Sequence, residues 1–151
     1  MKEIKLTQGK VALVDDEDFE FLSQWSWYYL NGYARRTENI DSSCIFLHRA
    51  ILKNSKDMEI DHINNDKLDN RRSNLRLCTH KENSQNRKIG INNTSGYKGV
   101  HKRPDGRWQA RIVVNDKRVS LGYFRNISDA VLAYNDAAEK YYGEFANLNR
   151  I

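Results

Sequence analysis

The stretch from Ile60 to Asn86 constrains the fold of this chain more than any other part of it. Met58–Ile60 predicts a short strand that ends in an Asp-His pair. The loop Asn64–Ser73 consists almost wholly of Asn, Asp, Lys and Arg, which favour turns and cannot form a core. Leu75–Cys78 alternates apolar and polar residues, as a half-buried return strand does. We therefore predict a β-hairpin with a long polar loop.

A helix start follows the hairpin. Thr79-His80-Lys81-Glu82 matches a capping box, with Thr79 as the N-cap and Glu82 at the third helical position. This places Asn83 in the first turn of a helix that faces back toward the hairpin. Strand, loop, strand and helix together are enough to bring four polar residues to one place: Asp61, His62, Asn74 and Asn83.

These residue types suit phosphodiester hydrolysis. Asp and Asn oxygens are hard ligands that suit Mg²⁺, which keeps several waters and shares a phosphate oxygen with its substrate. A His beside such an ion can take the proton from an attacking water, because its pKa lies near working pH. A metal ion and a base are the minimum for cutting a phosphodiester. The alternative is an Asx-rich solvated loop with a lone buried His.

At these residues the sequence resembles the HNH endonucleases, whose active site is the ββα-metal fold. It is most similar to the phage and intron-encoded branch, which has Asn in the third motif position. The match covers about residues 47–88 through the D-H pair, the N-L-R run and the following helical Asn. The resemblance implies that Asp61 and Asn83 are metal ligands and that His62 is the general base. It also implies that Asn74 braces the loop and orients the His62 ring.

The same resemblance implies Mg²⁺, or another divalent cation such as Mn²⁺, as the cofactor. Some HNH proteins also hold a structural zinc through paired Cys motifs. Cys44 and Cys78 are too few and too scattered for such a site or for a disulfide framework. We expect no structural zinc and no small-molecule cofactor.

The amino-acid composition limits the size of the core and the class of partner. Apolar residues are 39% and charged residues 30%, with a mean hydropathy of −0.82, so we expect small modules rather than one large core. The net charge of +5 and a pI near 9.2 favour a polyanionic partner. Acidic residues outnumber basic ones in residues 1–46, and the basic excess lies after them. Without an apolar run of membrane length or a signal peptide, we expect no membrane association and an intracellular, cytoplasmic protein.

Residues 1–46 predict a β-rich segment. The segment opens with an alternation of Ile4 and Leu6, then Val11 and Leu13 after Gly9-Lys10, which fits two short strands joined by a turn at Gln8-Gly9. The acidic run Asp15–Glu20 then leads into a predicted helix, where negative charge suits the N-terminal end of the dipole. For this run we favour the simpler interpretation of a solvated helix face. Asn-Gly between two β-rich runs predicts a hairpin.

The aromatic residues Trp25 and Trp27 could stack on bases, but their alternation favours packing in a small core. Further along, Cys44–Leu47 predicts a strand and His48–Leu52 a short helix that covers the nuclease hairpin. For His48 we favour a structural role over a catalytic one.

Turn residues at 89–96 mark a linker, and 97–151 has a pattern of its own. Three strands are predicted at 97–103, 107–114 and 118–124, followed by a helix with Ser128 as its N-cap that runs to Tyr142. One helix face is rich in small and aromatic residues that would lie on the sheet: Ala130, Ala133, Tyr134, Ala137, Ala138 and Tyr141. The other face of the sheet would remain open and carry basic residues.

This segment resembles the AP2 DNA-binding domain. The resemblance rests on Y-K-G-V at 97–100, W-Q-A at 108–110, L-G-Y-F at 121–124, A-Y-N-D-A-A at 133–138 and A-N-L-N at 146–149. It implies DNA contacts by six residues of the open sheet face: Lys98, His101, Arg103, Arg107, Arg111 and Arg118. Asp105, Val113 and Ser120 depart from the plant pattern, so the target sequence of plant members is not carried over.

We therefore predict an α+β protein with four parts: a β-rich segment (1–46), an HNH nuclease module (47–88), a linker (89–96) and an AP2-like domain (97–151). Its function would be metal-dependent hydrolysis of duplex DNA by a monomer, as in phage or mobile-element homing endonucleases. One alternative is an AP2-type regulatory protein with an inactive HNH module. The other is a protein that binds or cleaves RNA.

Overall fold

Small antiparallel sheets and helices build an α+β fold, as predicted. The structure is a computed structural model that describes residues 1–38, 43–53 and 57–151. It divides into two compact units, Met1–Asn83 and Ser84–Ile151. The first unit and the start of the second contain, in order, β1 (Lys2–Lys5), β2 (Val11–Val14), α1 (Asp16–Leu22), β3 (Tyr28–Leu30), β4 (Tyr33–Glu38), β5 (Ser43–Phe46), α2 (Leu47–Ile51), β6 (Glu59–His62), β7 (Leu75–Cys78) and α3 (His80–Gln85). The remaining elements are β8 (Val100–Lys102), β9 (Trp108–Val114), β10 (Lys117–Phe124) and α4 (Ile127–Tyr142). None of the helices in the described residues is long and apolar enough to cross a membrane.

One core is shared across the first unit. Its buried residues come from β1, β2, α1, β4, α2, both strands of the β6–β7 hairpin and two connecting segments: Ile4, Leu6, Ala12, Val14, Leu22, Trp27, Ala34, Leu47, Ile51, Ile60 and Leu75. Trp27 is buried and donates its indole N–H to the Leu22 carbonyl, while Trp25 packs partly buried at the edge. Core packing is therefore the role of this aromatic pair, as its alternation indicated.

In the β1–β2 hairpin, the residues of β2 that face the core are not the ones that the sequence predicts. Ile4 pairs with Ala12, and the buried positions of β2 are Ala12 and Val14 rather than Val11 and Leu13. Leu13 instead uses its backbone: its N–H donates to the Leu68 carbonyl at 2.8 Å, and its carbonyl accepts the Asn70 N–H at 2.8 Å. A short parallel bridge between Leu13 and Asp69 thus connects β2 to the loop of the β6–β7 hairpin.

Local turn chemistry explains the next sheet, which has the order β3-β4-β5. Asn31 and Gly32 join β3 to β4 with φ of 52° and 88°. Positive φ at both central residues is what a tight hairpin turn requires and what Asn-Gly supplies at low cost. The predicted hairpin is confirmed.

The second unit is a three-stranded sheet of order β10-β9-β8 with α4 on one face. The core between them contains Val100, Ala110 and Ile112 from the sheet, and the helix contributes Ala130, Val131, Tyr134, Ala137 and Ala138. Two details of the helix differ from the prediction. Its N-cap is Asn126 rather than Ser128, and Tyr141 is 45% exposed while Val131 is buried.

Gly99 is the one glycine of this unit whose lack of a side chain is required by packing. It has φ of 69°, and a Cβ placed there would overlap the Tyr134 ring and the Arg111 carbonyl oxygen. The sheet and helix therefore approach each other closely at this point, as a residue without a side chain allows.

Candidate active site

The β6–β7 hairpin places the predicted site residues. Its register pairs Asp61 with Arg76 and His62 with Leu75. Successive strand residues point to opposite faces, so Asp61 shares a face with Glu59, whereas His62 shares the other with the buried Ile60. The Asp-His pair is therefore presented on the two sides of one strand end.

The Asp61 side chain is buried and ion-paired. Its Oδ2 accepts hydrogen bonds from Arg76 Nη2 at 2.7 Å and from Arg76 Nε at 3.0 Å. The side chains of both residues are largely excluded from solvent, at 6% and 12% exposure. Charge-assisted bonds of this kind fix the orientation of a carboxylate.

Asn83 lies on the same side of the hairpin as Asp61, because it reaches Glu59. The capping box forms reciprocally: the Thr79 N–H donates to Glu82 Oε2 at 2.7 Å, and the Glu82 N–H donates to Thr79 Oγ1 at 3.3 Å. This starts α3 so that Asn83 Nδ2 donates to Glu59 Oε2 at 2.5 Å. Since the amide nitrogen is turned to Glu59, the oxygen is the atom of Asn83 suited to a cation.

His62 lies on the other side, in an aromatic environment. Its ring is 5.1 Å from the ring of His48 in an edge-to-face arrangement and 6.3 Å from Tyr33. Its Nε2 lies 3.3 Å from Asn70 Oδ1. Burial lowers the pKa of His62, although the bond to Asn70 and the nearby Asp61 act in the opposite direction. When Nε2 donates to Asn70, Nδ1 is the ring atom that can accept a proton.

Asn74 braces the loop. Its Oδ1 accepts the Asn64 N–H at 3.0 Å, while its Nδ2 donates to Asn64 Oδ1 at 3.0 Å and to the Asp69 carbonyl at 2.7 Å. The Asp69 carboxylate binds Arg71 in turn, at 2.6 and 2.7 Å, which lowers the pKa of Asp69. These bonds hold the loop backbone on both sides of the position from which Asn70 meets His62.

The loop is also anchored to α1. Arg72 Nη2 donates to Asp18 Oδ1 at 2.7 Å and its Nε to Asp18 Oδ2 at 2.9 Å, while its backbone N–H donates to Asp15 Oδ2 at 2.7 Å. The acidic run that precedes the first apolar residues of α1 is therefore not only a solvated face. It binds the end of the nuclease loop.

The donor set fits a hard divalent cation in part. Asp61 and Asn83 offer a carboxylate and an amide oxygen on one face of the hairpin, and Mg²⁺ completes its shell with waters and phosphate oxygens. Among residues 1–38, 43–53 and 57–151 no group of three or more His, Cys, Asp and Glu could hold a metal by itself. A cation here would depend on water and substrate, and Asp61 would share its charge with Arg76.

Several residues of this site were not found from sequence. Arg76 stands in the recognised N-L-R run, and its pairing opposite Asp61 follows from the hairpin register, so this signal was present. No sequence pattern indicates that Asn70 or Tyr33 belongs to this site. For His48 the sequence favours a structural role, and the packing of α2 brings its ring to 5.1 Å from the ring of His62. Burial, the neighbouring His62 and the cations Arg49 and Arg35 lower the pKa of His48 to about 3.

The second unit gathers the predicted DNA-contact residues in three places. His101, Arg111 and Arg118 lie together, and burial and these two arginines lower the pKa of His101. Asp105 Oδ2 holds the Arg107 Nη2 at 2.9 Å and lies 3.4 Å from Arg103 Nε, with both guanidinium groups over the Tyr123 ring.

Lys98 is more buried than the other five. Its Nζ donates to the Gln85 carbonyl at 3.0 Å, and burial lowers its pKa to about 8. It lines a depression of about 360 Å³ together with four other basic residues, Lys88, His101, Arg111 and Arg118. Five basic residues of this unit therefore line one depression.

Comparison with known proteins matches both parts of the chain. Residues 47–85 match a family described as HNH endonuclease. An uncharacterized HNH endonuclease of Acanthamoeba polyphaga mimivirus is 32% identical over 150 residues, which are 95% of this chain and 77% of that protein. Dehydration-responsive element-binding protein 2D of Arabidopsis thaliana is 46% identical over 55 residues, 35% of this chain and 27% of the plant protein. An AP2/ERF and B3 domain-containing transcription factor of the same plant is 35% identical over 63 residues, 42% of this chain and 18% of its own length. The plant similarity lies in the C-terminal part.

Proposed function

Since this chain belongs to the HNH endonuclease family, we propose that it is a metal-dependent endonuclease that hydrolyses duplex DNA. One observation carries the proposal: a single hairpin and helix present an acid and an amide oxygen on one side, and a buried imidazole on the other. A phosphodiester at the strand end would meet both. The catalytic group is His62, with Asn74 as a positioning residue.

His62 acts as the general base. Its lowered pKa keeps the imidazole neutral at physiological pH, so that it can take the proton of the attacking water. The Asn70 bond and the edge of His48 hold the ring in place, and Asn74 holds the loop that carries Asn70. Ordering of this kind lowers the cost of reaching the reactive geometry.

Asp61 and Asn83 would hold one Mg²⁺ or Mn²⁺. Such an ion supplies stabilisation of the negative charge that develops on the leaving oxygen. The chain itself contributes the orientation of both ligands, through Arg76 for Asp61 and through Glu59 for Asn83.

The C-terminal unit directs the nuclease to its DNA. The concentrated basic residues and the likeness to plant proteins named for element binding support contact with duplex DNA through His101, Arg103, Arg107, Arg111 and Arg118, with Lys98 at the rim. Arg and Lys read guanine edges or hold phosphates in the major groove. The boundaries 1–46, 47–88, 89–96 and 97–151, monomeric action and a homing role in a phage or mobile element belong to the same proposal.

The test is cleavage of supercoiled plasmid with Mg²⁺, with and without a chelator, by wild type and by His62→Ala. Loss of the base should lower the cleavage rate by roughly 10²–10⁴ and leave DNA affinity nearly unchanged. Cutting by His62→Ala at the wild-type rate would remove His62 from the mechanism. A duplex RNA substrate in parallel tests the RNA alternative.

A second candidate function is a DNA-binding regulatory protein with an inactive nuclease module. The ion pair between Asp61 and Arg76 favours it, because a neutralised carboxylate attracts a cation less. Metal-independent binding to a specific site, with no cleavage at any Mg²⁺ or Mn²⁺ concentration, would support this candidate over the nuclease.

A further inference from the structure

The geometry points to a phosphate-binding surface on the nuclease unit itself, formed by Arg35, Arg49 and Lys67 around the rings of Tyr33 and Phe46. We call these five residues the cation–aromatic cluster. Its ligand is the backbone of the DNA strand that is cut. This inference rests on the proposed function for the identity of the strand, and on contacts of the first unit alone for the site.

Each of the three cations stacks on an aromatic ring. The Arg35 guanidinium lies 4.4 Å from the Phe46 ring centroid and 5.7 Å from that of Tyr33. Arg49 lies 5.6 Å from Phe46, and Lys67 Nζ lies 4.2 Å from Tyr33. A guanidinium also offers a planar fork of N–H donors that matches the oxygens of a phosphate.

Within the described part of the chain, the three cations have no carboxylate partner. The other arginines of the first unit are paired, with Glu38, Asp69, Asp18 and Glu17, or Asp61. No ion pair of Arg35, Arg49 or Lys67 exists among the residues that the structure describes. Arg35 Nε and, outside the cluster, Arg36 Nε are buried nitrogens without a hydrogen-bond partner there. Both are enclosed by protein, so the case for a phosphate rests on the cations that have no ion pair in the described structure.

The local excess of positive charge runs against the composition of the segment. Residues 1–46 contain five Lys and Arg against eight Asp and Glu, yet Arg35 has no acid beside it in the described structure. The acids Asp15, Glu17 and Asp18 are used at α1, where they bind Arg72. Among the described residues, Arg35 is therefore a cation without an ion pair in an acidic segment, whereas Arg49 and Lys67 lie in the part of the chain where basic residues are in excess.

The cluster adjoins the proposed base through ring contacts. Phe46 and Tyr33 lie 5.2 and 5.6 Å from the His48 ring, and His48 lies 5.1 Å from His62. Phosphates bound by the cations would consequently belong to the strand that passes His62. The nuclease unit would hold that strand independently of the basic sheet in the C-terminal unit.

The experiment uses the full chain in a His62→Ala background and a duplex DNA probe carrying ethylated phosphates. The cluster variant is Arg35→Gln, Arg49→Gln and Lys67→Gln together. The control variant is Lys5→Gln, Lys10→Gln and Lys53→Gln, which removes the same charge from exposed positions of the same unit outside the cluster. Binding is measured across a salt series, and phosphate contacts are mapped by ethylation interference.

The cluster variant should lose interference at up to three neighbouring phosphates, and its salt slope should fall by about 0.9 for each phosphate that the protein no longer neutralises. The control should keep the interference pattern. Arg35→Lys alone, which keeps the charge but not the planar fork, should lose interference at one phosphate with a smaller change of slope. Equal interference patterns and equal slopes in the cluster and control variants would overturn the inference.

The nuclease proposal is judged separately, from plasmid cutting by the chain with His62 restored. If the cluster variant binds phosphates more weakly but the wild-type protein does not cut plasmid, the phosphate-binding surface is supported and the nuclease proposal is refuted. If the cluster variant with His62 restored cuts plasmid with the same kcat/KM as the control variant, the proposed phosphate-binding surface is refuted. Equal competition by duplex RNA would overturn its assignment to DNA.

Discussion

Asp61 and Arg76 face each other across the nuclease hairpin and form a largely buried ion pair, 2.7 Å between Oδ2 and Nη2. The carboxylate proposed as a metal ligand is thus already oriented, and part of its charge is already compensated. Any cation that binds there competes with a guanidinium. In the proposed function, Arg76 would therefore set how strongly the site attracts a metal ion.

Replacement of Arg76 should expose this competition. In Arg76→Met the buried carboxylate loses the Arg76 guanidinium, and without metal the free energy of unfolding should fall by about 3–5 kcal/mol, as for other broken buried pairs. Added Mg²⁺ should then stabilise the variant more than it stabilises wild type, which urea unfolding at several Mg²⁺ concentrations would measure. Asp61→Asn in the same variant is the control, and it should remove the Mg²⁺ response. An equal response to Mg²⁺ in wild type and Arg76→Met would show that the ion pair does not affect metal binding.

Asn74 should matter for both stability and rate. Asn74→Ala leaves the Asn64 N–H and the Asp69 carbonyl without their partner, which costs about 1–3 kcal/mol for each buried group that stays unsatisfied. Because Asn70 then loses its fixed position beside His62, the rate constant for cleavage should fall while the Kd for DNA changes little. Single-turnover cleavage and urea unfolding would measure the two effects. Ser73→Ala, an exposed neighbour, serves as the control. A stability loss without any loss of rate would confine Asn74 to a structural role.

His48 should make the stability of the protein depend on pH. Its pKa is about 3 in the folded state and ordinarily 6.5, so the unfolded state binds the proton more readily. Its contribution is fully present above pH 6.5 and declines as the pH falls toward 3. At pH 5 wild type should have lost about 2 kcal/mol through this residue, a loss that His48→Phe avoids while keeping an aromatic ring. Denaturant unfolding of both proteins at pH 8 and at about pH 5 tests this. Parallel losses in wild type and His48→Phe would contradict a buried neutral His48.

Gly99 should be required for the second unit. Gly99→Ala forces a Cβ into the Tyr134 ring and the Arg111 carbonyl and adds strain at positive φ. We expect loss of the C-terminal unit's cooperative unfolding transition and of site-specific DNA binding. Metal-dependent cutting without site preference should persist. Gly106→Ala, at a turn where a Cβ meets nothing, is the control, since it has positive φ without the clash. Tyr134→Leu in the Gly99→Ala protein should recover part of the stability, and full binding by Gly99→Ala alone would show that the packing is not as close as described.

The structural features that the sequence predicts correctly are those determined by a few consecutive residues. The Asn31-Gly32 turn and the Thr79–Glu82 capping box each act within four residues, and the structure forms both. The helix face in α4 was predicted only approximately. Tyr141 falls in the right period but lies at the rim, whereas Val131 enters the core, because the width of the buried stripe depends on the sheet beneath it.

Contacts between distant parts of the chain were not predictable in the same way. The bond of Arg72 to Asp18 joins residues 54 positions apart, and the acidic run alone gave no sign of its partner. The placement of Arg35 over Phe46 likewise depends on how β4 pairs with β5. The proposed roles of Asp61, His62 and Asn83 came from resemblance to a family, and they remain proposals that the experiments above address.

The backbone bridge from Leu13 to the loop at 68–70 bears on how this nuclease could be engineered. The residues that match the HNH family begin at 47, but the loop that carries Asn70 receives two of its backbone hydrogen bonds from β2. A graft of residues 47–85 into another scaffold would leave those two peptide groups without partners and the loop without this support. The smallest transferable module therefore begins at the N-terminal hairpin, and a chimaera should keep α3 to its end at Gln85 and be joined after it rather than before Leu47.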